Sequence, residues 1–120
     1  MHDPKPRLTI ERDGPIAVIR FNDRNILDEA SIQSISEEIL RHIDALTNPM
    51  ILMDFNNVDH LSSAALGSLI TINNRVRKRD GQLRLCNIDA QIMEVFVITK
   101  LNKLFQIHAT AKAAMDSFSR

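Results

Sequence analysis

Four consecutive apolar residues, Met50-Ile51-Leu52-Met53, stand between two segments of helical period, and this constrains the fold more than any other feature of the chain. A run too short for a helix and apolar at every position reads as a strand covered on both faces. Before it, Ile32, Ile35, Ile39, Ile43 and Leu46 recur at spacings of three and four, one face of a helix. Asp28 is the expected N-cap of that helix, Leu27 ahead of it is placed to pack on Ile32, and Thr47-Asn48-Pro49 ends it. After the strand the pattern repeats. Leu61 precedes a Ser62 cap, Leu66 stands where its packing partner belongs, and Leu66, Leu69, Ile70 and Val76 give an apolar face up to about Lys78. Arg75, Arg77, Lys78 and Arg79 crowd the C-terminal end of this second helix, where cations suit the dipole, and Asp80-Gly81 turns the chain out.

The remaining elements follow the same two periods. Leu8-Thr9-Ile10-Glu11 and Ile16-Ala17-Val18-Ile19-Arg20-Phe21 flank Asp13-Gly14-Pro15, and strands joined by so short a turn form an antiparallel hairpin. Leu83 and Leu85 mark a strand, Asp89 caps a helix using Ile92, Val95 and Phe96, and Phe105-Gln106-Ile107 is a last short strand. Thr110 caps a closing helix with Ala111, Ala114, Met115 and Phe118 on one side. The order is β-β-α-β-α-β-α-β-α. Strands that alternate with helices lie parallel through right-handed crossovers. The expected fold is therefore one α/β domain, a mixed β-sheet with an N-terminal hairpin and about four helices packed on it. Residues 1–7 are expected as a loose tail and residues 8–120 as the domain.

Several function classes are disfavoured. Fifteen basic residues offset fifteen acidic ones, whereas a nucleic-acid binder normally carries a basic excess. No apolar stretch approaches the ~20 residues that span a bilayer, so no membrane insertion is expected. The first residues carry no apolar leader core, and the single cysteine, Cys86, fits a reducing compartment, so a cytoplasmic location is expected. Three glycines in the chain leave little material for a phosphate-binding loop. Cys86 has no Cys or His at metal-ligand spacing, and His2, His42, His60 and His108 are scattered singly. No catalytic centre, metal or cofactor is expected.

The segment Val58-Asp59-His60-Leu61-Ser62-Ser63-Ala64-Ala65-Leu66-Gly67-Ser68-Leu69 resembles the signature of the STAS-domain anti-sigma-factor antagonists. In that family a strand and loop lead into Asp-Ser-Ser/Thr-Gly-Leu-Gly, and the Ser after the Asp accepts phosphate. Laid on without gaps, Ser62 takes the Asp position and Ser63 the phosphoacceptor position, Ala64 and Ala65 take the next two, and Leu66 and Gly67 match directly. Asn25-Ile26-Leu27-Asp28 is similar to the family's Gly-Glu-Leu-Asp, and Asp54-Phe55 to the Asp-Leu that closes its central strand. Gly81-Gln82-Leu83-Arg84-Leu85-Cys86-Asn87 is similar to its Gly-x-Leu-x-Leu-x-Asn strand. The stretches Val95–Leu101 and Leu104–Ile107 follow its pattern too.

The resemblance implies a protein-binding switch. Unphosphorylated, such a protein binds an anti-sigma factor that is also a serine kinase, and so frees a sigma factor. Phosphorylation of Ser63, or of Ser62 should the alignment shift by one, ends the complex, and a phosphatase resets it. The ATP belongs to the partner. The implied partner surface comprises Asp28, His60, Leu61, Ser62, Ala64 and Leu66. Without phosphorylation the same fold implies a scaffold or adaptor in a signalling or transporter-associated complex. Serine and aspartate are also favoured at helix N-caps whatever a protein does. Ser62 and Asp28 thus have a structural reading beside the functional one, and Asp54 reads as the residue that holds the strand end.

Overall fold

The computed structural model describes residues 7–118 of the chain. Strands β1 (Leu8–Asp13) and β2 (Ile16–Phe21) form the expected hairpin, in register from Leu8↔Phe21 to Asp13↔Ile16. Two residues connect them. Gly14 takes φ 60°, which side chains disfavour, and Pro15 follows with its ring-fixed negative φ, the sign order of a tight hairpin turn. Next come β3 (Asn25–Ile26), α1 (Glu29–Asp44), β4 (Met50–Asp54), β5 (His60–Leu61) and α2 (Ser63–Lys78). The chain continues through β6 (Gln82–Cys86), α3 (Ala90–Ile98), a 3-10 turn (Leu101–Lys103), β7 (Gln106–His108) and α4 (Ala111–Asp116).

The main sheet runs β1-β2-β4-β6-β7, antiparallel at the first junction and parallel at the other three. It is the mixed sheet with a hairpin and four helices that the sequence implies. The pleat divides its side chains. One face carries Ala17, Ile19, Ile51, Met53, Leu83 and Leu85, and α1, α2 and α3 cover it through Ile35, Ile39, Leu69, Ile72 and Phe96. The other face carries Ile16, Val18, Leu52 and Cys86 and is covered by Ala114 and Phe118 at the C-terminal end. Burial on both faces is why Met50–Met53 is apolar without alternation.

Arg84 secures the last helix. It lies on the second face at 6% exposure, donating from Nε to Ser117 Oγ at 2.9 Å. A second guanidinium nitrogen donates to Leu83 O at 3.1 Å, and the guanidinium carbon stands 4.9 Å from the Phe118 ring centroid. Burial lowers the pKa of this arginine from its ordinary value.

Helix α2 ends in a bonded reversal. Asp80 N–H donates to Arg77 O at 3.1 Å and Gly81 N–H to Val76 O at 2.9 Å, with Asp80 at φ 56°. The left-handed position thus falls to Asp80. Gly81 is needed for closeness instead: a Cβ there would stand 2.7 Å from Pro49 Cγ, 2.9 Å from Val76 Cγ1, and closer still to Pro49 O. The basic residues before it divide. Arg75 pairs with Asp44 of α1 at 2.6 Å and Arg79 donates to Leu46 O at 2.7 Å, locking the helix ends together, while Arg77 and Lys78 stay exposed.

Three expectations need correction. Val95 is 41% exposed, because the nine residues of α3 bury only the Ile92–Phe96 stripe. Leu27 is 55% exposed, and Ile26 beside it, held in β3, takes the buried place ahead of α1. Arg7 is not free: its carbonyl accepts from Asn22 N–H at 2.9 Å and its side chain pairs with Asp23. The rest of the expected tail, residues 1–6, lies outside the described residues.

Candidate functional site

A two-residue ladder, β3 against β5, brings the starts of α1 and α2 together. Asn25 pairs with His60 and Ile26 with Leu61, in parallel. Each strand then runs into its helix. The chain leading to β5 is fixed from below: Phe55 and Val58 are each 1% exposed, and Phe55 lies 5.0 Å from Phe21 between ring centroids. It is also fixed from the side. Arg24 O accepts from Asp59 N–H at 2.7 Å and from His60 N–H at 3.2 Å, and Ile26 O accepts from Ser62 N–H at 3.1 Å.

The two serines separate in role. Ser62 has extended backbone and its Oγ accepts from Ala65 N–H at 3.2 Å, so it is the N-cap of α2. Ser63 is the first helical residue, exposed, and its hydroxyl makes no hydrogen bond among the described residues. The first turn of α2 holds no acidic residue, so its N-terminal partial charge has no carboxylate against it. In α1 the corresponding end is answered by Asp28 and Glu29. Asp28 accepts from Ser31 N–H at 3.0 Å and from Ser31 Oγ at 2.9 Å. Those two bonds, the backbone one first, hold its carboxyl below the usual aspartate range, against a smaller opposing effect of burial.

The other expected surface residues sort by exposure. His60 and Ala64 are exposed, Leu61 is half-buried, and Leu66 is turned into the core at 9% exposure beside Leu69. Leu66 is therefore a packing residue, since the fourth helical position falls on the buried stripe of α2. Between the N-terminal halves of the two helices runs a shallow groove that includes Glu29, Gln33, Glu37, Ala64 and Ser68.

Asp54 supports this end from beneath, where one oxygen accepts from Asn56 N–H and from Asn87 Nδ2, both at 3.0 Å. The other lies 3.5 Å from Arg20 Nε, which places Asp54 in a structural network. Cys86 is fully buried beside it. Burial first, and the Asp54 charge second, push its thiol up to about 12, so it stays protonated. Among the described residues no three His, Cys, Asp or Glu side chains gather as a metal site, and no helix is long and apolar enough to cross a membrane.

Fold and site together define a class, a mixed-sheet α/β domain that presents a free hydroxyl at the start of its second helix, next to the N-cap of its first. The chain belongs to the STAS domain family, whose model matches residues 7–114. A Bordetella bronchiseptica protein provisionally named anti-sigma factor antagonist BtrV is 24% identical over 95 residues, 79% of this chain and 81% of that protein. The solved anti-sigma-factor antagonist (STAS) domain protein of Planctomyces limnophilus superposes with a TM-score of 0.84 at 18% identity, covering 92% of this chain and 96% of that one. The Bacillus cell fate determinant SpoIIAA, solved in its phosphorylated form, gives 0.69 at 20% identity, with 91% and 96% covered.

Proposed function

We propose that this protein is an anti-sigma-factor antagonist whose binding is switched by phosphorylation at Ser63. The observation that carries the reading is the division between the two serines: Ser62 is occupied as a cap, while the Ser63 hydroxyl is exposed and unbonded at an uncompensated helix N-terminus. A phosphate adds roughly −1.5 to −2 charges at neutral pH. Here it would meet free N–H groups and the favourable end of the dipole, so the fold tolerates it. The surface changes instead, because Asp28, Glu29 and Glu37 already make this face acidic.

The proposed partner is an anti-sigma factor with serine-kinase activity, which contacts Ser63 together with Asp28, His60, Leu61, Ser62 and Ala64. Leu66 supports the loop from the core. The partner supplies ATP, a phosphatase restores the hydroxyl, and the cycle belongs in the cytoplasm. This chain contributes no catalytic group.

The test is to incubate the protein with its cognate kinase and ATP, map the phosphate by mass spectrometry, and titrate the kinase with Ser63→Asp. Phosphate at Ser63 and at least tenfold weaker binding, about 1.4 kcal/mol, support the switch. Phosphate on neither serine, with Ser63→Asp binding as the parent does, replaces it with the adaptor reading.

A further inference from the structure

The far end of α2 overlooks a second feature. Arg77 lies fourteen residues beyond Ser63, about 21 Å along the helix axis. There, β7 pairs only with Arg84–Cys86 of β6, so among the described residues no strand flanks Gln82 and Leu83 on that side. The gap is a cleft of about 390 Å³ between the C-terminal half of α2, the start of β6 and the segment leading into β7. That volume is within the range of small-molecule sites, ~300–1,000 Å³.

Asn73 is the anomaly in its wall. It continues the stripe of Leu66, Leu69 and Val76, where a leucine would pack, and is 6% exposed. Its side chain makes no hydrogen bond among the described residues; Nδ2 is buried without a partner, and a half-turn of the amide presents it to the cleft in place of Oδ1. An amide left so loses about 1–3 kcal/mol, a cost that bound acceptor atoms would remove.

The charges point the same way. Among the described residues the cleft is lined by Arg77 and Arg84 and by no carboxylate. Arg77 has neither an ion pair nor a hydrogen bond from its side chain among the described residues. Arg84 is buried with only neutral partners, in Ser117, Leu83 O and Gln82 Oε1. We propose that this cleft binds a small molecule through an oxyanion, a phosphate or a carboxylate, held by the Arg77 guanidinium and the Asn73 amide. The site is separate from the serine loop and does not depend on the switch.

The experiment is a titration of the full chain, followed by ¹H–¹⁵N NMR, with inorganic phosphate and separately with citrate at constant ionic strength. The expected result is a saturable one-to-one shift of the Asn73 side-chain NH₂ and the Gly81 backbone N–H, weakened at least tenfold in Arg77→Ala. Tighter phosphate binding assigns a phosphorylated ligand, and tighter citrate binding a carboxylate. Shifts that fail to saturate with both probes, or that appear equally at Arg12 and Arg41, or that persist unchanged in Arg77→Ala, overturn the proposal. Asn73→Leu gives an independent reading. The proposal expects it to weaken the Gly81 response at least tenfold. A higher melting temperature with an unaltered titration makes Asn73 a packing flaw and overturns its part in holding the ligand.

Discussion

Substituting the two serines by alanine, one at a time, separates the cap from the proposed switch. Of the first N–H groups of α2, that of Leu66 donates to Ser62 O at 3.1 Å and that of Ala65 to Ser62 Oγ at 3.2 Å. Ser62→Ala leaves the second donor without an acceptor. Capping losses average about 1 kcal/mol and reach about 2. Ala65 is only 5% exposed, so water reaches its amide poorly, and the upper half of that range applies. Ser63→Ala removes a hydroxyl with no partner among the described residues, and exposed changes of that kind stay within about 0.5 kcal/mol. For a domain of this size 1 kcal/mol moves the melting temperature by about 4 °C. Ser62→Ala should therefore melt about 4–8 °C below the parent and Ser63→Ala within about 2 °C of it, by calorimetry or circular dichroism. Kinase treatment should invert the ranking, Ser62→Ala still accepting phosphate and Ser63→Ala none. If Ser63→Ala is the destabilised variant, the helix starts one residue later and the argument about which hydroxyl is free fails.

Other outcomes follow from single contacts. Gly81→Ala should cost about 1–3 kcal/mol in urea denaturation, since its methyl must push Pro49 or Val76 aside. Asp28, whose carboxyl is held below the usual range, should contribute fully above its unfolded pKa of about 3.9 and lose that contribution as pH falls through the lower folded value. Asp28→Asn should accordingly flatten the acid side of the stability profile between those two values. Cys86, with a pKa near 12, should resist iodoacetamide at pH 8 in the folded protein and react once urea unfolds it. Rapid labelling in the native state would contradict its burial.

The four N-caps were legible because capping is local chemistry. Asp28, Ser62, Asp89 and Thr110 each accept from a backbone N–H two or three residues on. The five strands of the main sheet were legible from period and from turn residues. The β3–β5 ladder was not, since two residues are too few to show a period, and what pairs them is the packing of Phe55 and Val58 beneath. The exposure of Val95 depends on how short α3 is, and the left-handed turn at Asp80 on how closely Gly81 approaches Pro49. For the site, the sequence placed the serines at the head of α2, but not which of them is bonded. It gave no sign of the cleft beside Asn73, because that cleft exists only where β7 stops short of β6.

The shortness of β7 also bears on how these molecules meet one another. An open sheet offers two rows of unpaired backbone groups to any neighbouring chain, and such rows are where ordered aggregates begin. At one side this protein exposes only the three residues of β7. At the other, β1 ends in Glu11, Arg12 and Asp13, all exposed, so an incoming strand would have to settle against a run of charges. Neither side makes a good template, and concentrated solutions of the folded protein should keep the sheet at five strands.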